Sequence, residues 1–155
     1  MPFSDIKIKS GGLFLEIENS RPVLLRLLQD DPLQFVIHGF GKTQAECSGE
    51  NCVHCNQIGG DGKPTDFSKR RRRFKLNAYS HDANKVMIWE FGPQILEQLQ
   101  NCEKSLVLQE ALILDVDLIV SSSGESKDKS YSVQPALKSK TVPAGLALHS
   151  LDLPF

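Results

Sequence analysis

The feature that most constrains this fold is a polar, glycine-rich stretch with too little apolar material to hold itself together. Residues 39–64 are rich in Gly, Asn, Ser and Cys. A connection of that length without structure of its own is uncommon in a compact domain, so something else must hold it. The local sequence supplies a means. "FVIHGFGKTQAECSGENCVHC", residues 35–55, contains three of the four cysteines and two of the four histidines. His38, Cys47, Cys52 and Cys55 follow one another with eight, four and two residues between them. Cys-x-x-Cys is a tight metal knuckle, because two sulfurs can face one centre across a turn, and Cys₃His is a common tetrahedral zinc set. Four protein ligands leave no open position for water, so the expected Zn²⁺ is structural and pins the loop. His54 is the rival imidazole, but it sits beside Cys55, which makes sharing one ion awkward; His38, at a strand end, is the expected ligand. A redox role for Cys52 and Cys55 would need a βαβ pattern that the sequence lacks. Cys102 falls on the apolar side of an expected helix and reads as a core residue.

The rest of the chain reads as mainly β. Residues 22–28, 33–38, 74–79 and 86–91 are short strand candidates, and 114–120 with 130–133 reads as a closing hairpin. Residues 14–18 also alternate near their end. "SHDAN" reads as a turn, making 74–91 a hairpin. Gly92-Pro93 opens the one clear helix, with Ile95, Leu96, Leu99, Cys102 and Leu106 at helical spacing. This count favours a small OB-fold-like barrel with one α-helix and a zinc-binding loop subdomain at about 38–64. The expected organisation is a domain over 1–135 and a tail over 136–155. No apolar run approaches a membrane span, and "MPFSDIKIKS" has no apolar signal region, so a cytoplasmic protein is expected.

The net charge is −1, yet residues 63–75 carry seven cations against one acidic residue. A positive patch on an otherwise acidic body suits a polyanion. "KRRRR" (Lys69, Arg70, Arg71, Arg72, Arg73) is expected in a loop that runs into a strand whose outer face carries Lys75, Asn77 and Tyr79. Cations beside an exposed ring suit single-stranded nucleic acid, with phosphates on Lys and Arg and bases stacked on aromatics. Trp89 and Phe40 are further stacking candidates. Both faces of the Trp89 strand are apolar, so a core position competes with a stacking one.

These residues resemble the zinc-containing single-stranded-DNA-binding (helix-destabilising) proteins of T-even phages. The resemblance lies in "VIHGF", the His…Cys…Cys-x-x-Cys order, the basic run entering an aromatic strand, "KVMIWEFGPQILEQL" and the hairpin "VDLIVSSSGESKDKSYSV". It covers roughly residues 12–135. It implies an OB-fold core with a structural zinc held by His38, Cys47, Cys52 and Cys55. It also implies largely sequence-independent binding of single-stranded DNA along Arg70 to Arg73 and Lys75. The cysteine loop is shorter here, and Lys7 and Lys9 are the only cations in the first ten residues. The tip Asp152, Leu153, Pro154, Phe155 is similar to that of bacterial single-stranded-DNA-binding proteins, which recruits partner proteins.

The expected function is a non-enzymatic coat or chaperone of single-stranded DNA in replication or recombination, in a bacterial or phage-infected cell. No Ser-His-Asp, paired-carboxylate or phosphate-loop constellation stands out. The alternatives are an RNA-binding OB protein and a protein-interaction module with a zinc-stapled basic loop.

Overall fold

Alternating apolar residues along successive short segments build one antiparallel sheet. The computed structural model describes residues 13–40, 43–47, 55, 60, 62, 70–125 and 129–151. The strands are β1 (Val23–Leu27), β2 (Leu33–Phe40), β3 (Thr43–Glu46), β4 (Arg70–Ser80), β5 (Lys85–Phe91), β6 (Asp117–Ser123) and β7 (Ser130–Pro135), with helix α1 (Pro93–Leu108) after β5. Their order is β3-β2-β4-β1-β6-β7, and β5 pairs with β4. The chain is therefore mainly β, with one long helix among the described residues, as the sequence predicts. The sheet does not close into a barrel there: β3 and β7 end it, and α1 packs chiefly against β7 and more lightly on β4 and β5.

The helix follows its sequence signals. Gly92 is the N-cap and Pro93 takes the first turn, where its missing N–H costs nothing. Ile95, Leu99, Cys102 and Leu106 form the buried stripe. They join Phe74, Leu76, Trp89, Phe91, Leu118 and Val120 in one core. Burying each large side chain contributes about 1.5–3 kcal/mol as an upper figure. Gly92 has a second role: a Cβ there would stand 2.9 Å from Nη1 of Arg73.

The β4–β5 turn also matches its sequence. Asn84 takes φ 56°, a left-handed conformation that Asn tolerates, and its N–H reaches the Ser80 carbonyl at 2.8 Å. Three segments differ from expectation. Thr43–Glu46 is a strand inside the stretch read as a loop; it pairs with β2, Ile37 opposite Glu46 and Phe40 opposite Thr43. Residues 14–18 make no strand, although Phe14 forms an isolated bridge with Ile88. Arg70 to Arg73 lie inside β4 rather than in a loop before it. No helix among the described residues is long and apolar enough to cross a membrane.

Candidate metal centre and basic strand

The β2–β3 hairpin positions two residues of a candidate metal centre. Its ladder continues one residue past β3, where the Cys47 N–H donates to the Val36 carbonyl at 2.9 Å. That bond sets Cys47 beside the end of β2 that carries His38, which is fully buried. Cys55 reaches the same point from the following stretch. His38 Nε2 lies 3.4 Å from Cys55 Sγ, and Cys47 Sγ lies 3.6 Å from Cys55 Sγ. All three donor atoms fall within 4.8 Å of one another, so the group can hold a metal ion. Bonds of about 2.3 Å to sulfur and about 2.0 Å to nitrogen around a tetrahedral ion require about 3.8 Å between sulfurs and about 3.5 Å from sulfur to nitrogen. The two spacings to Cys55 Sγ agree within a few tenths of an ångström. Cys52 and the rival His54 lie outside the described residues. Cys102 is a core residue: its thiol faces the Val133 carbonyl at 3.6 Å, and burial raises its pKa, which keeps it protonated and unreactive.

The basic run sits directly against this centre. In the β2–β4 ladder His38 is opposite Arg70, Ile37 opposite Arg71, Val36 opposite Arg72 and Phe35 opposite Arg73. Strand alternation splits the four arginines between two faces. Arg70 and Arg72 are exposed; Arg71 and Arg73 are half-buried. Arg73 Nε stands 4.0 Å from Glu90 Oε1 across the neighbouring strand. The split changes the expected arrangement, because a paired strand cannot aim four consecutive side chains at one groove. Lys69 lies outside the described residues, as do Asp152, Leu153, Pro154 and Phe155. Phe40 ends β2 opposite Thr43.

Three further expectations meet a different environment. Trp89 is 1% exposed and packs on Phe91, with ring centroids 4.8 Å apart. It is a core residue rather than a stacking platform, because it belongs to the core cluster that the buried stripe of α1 joins. Lys75 and Tyr79, expected on an open face, are 4% and 5% exposed, and Asn77 between them is fully buried. Lys75 Nζ lies 4.7 Å from the Phe35 ring centroid, a cation–π contact, and donates to the Leu151 carbonyl at 3.3 Å. Asn77 Nδ2 donates to the carbonyl of His149 at 3.1 Å, and its Oδ1 accepts from the His149 N–H at 2.9 Å. Residues read as an irregular tail therefore lie across this part of β4.

A second polar node went unrecognised in the sequence. Asp117 is fully buried at the start of β6. Its Oδ1 accepts from Arg26 Nε and His81 Nε2, each at 2.9 Å, and its Oδ2 accepts from the Lys140 N–H at 2.7 Å. Burial raises the carboxyl pKa, but the Lys140 N–H, His81 and Arg26 outweigh it and hold the pKa below its ordinary value. The available signal was "LDVDL", an acidic residue amid strand-forming apolar ones, which announces a buried partner without naming it.

No protein-family model and no curated protein matches this chain. The fold and the site together define a β-rich protein with a His-Cys-Cys group able to hold a metal ion, set beside an arginine-rich strand.

Proposed function

We infer that the protein binds single-stranded DNA without strong sequence preference, on a β2–β4 surface stapled by a structural zinc ion. The observation that carries this reading is the pairing of His38 with Arg70. Through it the metal-holding hairpin and the basic run form one continuous piece of sheet. The thiolate-rich donor set favours zinc among common cellular metals, and Cys52 is the proposed fourth ligand. Such a metal is closed to substrate and acts as a scaffold. Arg70 and Arg72 meet phosphates from the exposed face of β4, while Arg71 and Arg73 lie on its other face. Partner recruitment through Asp152, Leu153, Pro154 and Phe155 belongs to the same reading.

A fluorescence titration of oligo(dT) at several salt concentrations, on protein whose zinc content is measured in parallel, tests the proposal. The expected result is one zinc per chain and an affinity that falls with salt by a log–log slope near −0.7 per phosphate contacted. Absence of binding to a long oligo(dT) at low salt overturns the reading. Stronger competition by a matched RNA would reassign the surface to RNA, where 2′-hydroxyl contacts discriminate.

A further inference from the structure

A cleft of about 120 Å³ lies beside the basic strand, at the Gly92 end of β5. Ile17, Trp89, Phe91 and Tyr131 line it, together with the charged pair Arg73 and Glu90. Arg73 lies against Gly92 there: a Cβ on that residue would stand 2.9 Å from Nη1, so the missing side chain gives the guanidinium its place. Arg73 Nε and Glu90 Oε1 are 4.0 Å apart, too far for a hydrogen bond between them. Both atoms are buried, and neither has a hydrogen-bond partner among the described residues. Native structures rarely leave a buried donor and a buried acceptor side by side and unbonded. Such a pair calls for one molecule that carries the opposite pair, an acceptor next to a donor.

Room and chemistry narrow that molecule. An apolar cavity of about 150 Å³ holds one benzene ring, so this cleft has room for roughly one six-membered ring. Pyrimidine bases carry the required pair on one edge: O4 beside N3–H in thymine, N3 beside N4–H in cytosine. Tyr131 supplies an aromatic wall, and Lys129 Nζ stands 5.6 Å from its ring centroid. A water molecule would satisfy the polar pair but not the aromatic and aliphatic lining. The cleft is also within reach of the phosphate contacts. β5 ends at Phe91, opposite Phe74, so among the described residues Arg70 to Arg73 are paired on one side only, by β2. A strand held at the exposed Arg70 and Arg72 can turn a base over the free edge, beside Arg73.

Resting on the single-strand reading above, we propose that the cleft between Arg73, Glu90 and Tyr131 receives one pyrimidine base of the bound strand by its hydrogen-bonding edge. Arg73 donates to the acceptor of the ring, Glu90 accepts from the neighbouring N–H, and Tyr131 packs on the ring. Thymine and cytosine share this pair of groups, so the cleft holds a base without reading a sequence. Arg73 is thus a base contact, where Arg70 and Arg72 are phosphate contacts.

The test compares oligo(dT) with an oligonucleotide of equal length built from difluorotoluene nucleotides, which keep the shape of thymine and lose its hydrogen-bonding edge. The wild type should bind oligo(dT) tighter by about five-fold or more, the low end for a bidentate base contact. In Glu90→Ala the ratio should fall toward one. Gly92→Ala keeps both charges and displaces only the guanidinium, and it should lower the ratio as well. A fall in either variant supports the cleft. A ratio near one in the wild type, or an unchanged ratio in both variants, overturns the cleft and leaves the single-strand reading standing. Failure of the wild type to bind either oligonucleotide overturns that reading and the cleft with it.

Discussion

The two halves of β4 differ although one strand carries both. Its first four residues alternate between exposed and half-buried, while Phe74 to Ser80 are buried without a break. Alternation should put every second residue of a strand in water when one face is open. The first half obeys, because β2 flanks it and its arginines keep solvent on both sides. The second half departs from it because both faces are covered. The helix and core close one, and residues 149–151 reach the other. Exposure along this strand is therefore set by what lies over it rather than by its own pattern. Lys75 shows this most plainly, a lysine 4% exposed under a peptide carbonyl and beside a phenyl ring.

The largest expected change to this contrast comes from breaking the His38–Cys47–Cys55 group beside the first half. Cys55→Ser leaves two of the three described donors, and a closed thiolate site rarely holds its ion with a ligand missing. The expected outcome is loss of the metal by elemental analysis, with loss of amide protection at Cys47, whose N–H continues the β3 ladder. Retained metal and unchanged protection would remove Cys55 from the ligand set.

The next effect reaches the cover of the second half through Asp117. A depressed carboxyl pKa contributes stability that is present above the unfolded value of about 3.9 and lost as pH falls through the folded value. Urea midpoints of the wild type should therefore hold near neutral pH and fall on acidification below about pH 4. Asp117→Asn should lose about 3–5 kcal/mol at neutral pH, since Arg26 is left without its buried partner, and should lose that part of the acid dependence as well. Equal neutral-pH midpoints for the two proteins would show that the node does not stabilise the fold.

The smallest structural effect belongs to Arg72→Ala. Its side chain is exposed, so stability should change by less than about 0.5 kcal/mol. Oligo(dT) affinity should nevertheless fall, and the log–log salt slope should flatten by about 0.7, the share of one phosphate contact. An unaltered slope would take Arg72 out of the surface and restrict the open half of β4 to its other cations.

Much of this architecture could be read in advance where the pattern is local. Gly92-Pro93 and the spacing of Ile95, Leu99, Cys102 and Leu106 specify α1, and the order of His38, Cys47 and Cys55 anticipates their convergence. What escaped depends on neighbours far away in the sequence. Thr43–Glu46 is polar and becomes a strand only because β2 offers it a ladder. The arginine run was expected in a loop, but alternation in a paired strand separates its charges onto opposite faces. Trp89 was ambiguous because both faces of β5 are apolar, and both are in fact buried. Residues 136–151 had no period to detect, since their attachments are single hydrogen bonds at irregular intervals.

The long separation in sequence between residues 149–151 and their partners on β4 has a consequence for how the molecule is made. Asn77 and His149 are 72 positions apart, and Lys75 and Leu151 are 76 apart. Contacts of such range form late, after the local hairpins and the helix have condensed. On the ribosome β4 also emerges long before the segment that covers it. A nascent chain thus displays Lys75 and Asn77 before the residues that bond to them have been made.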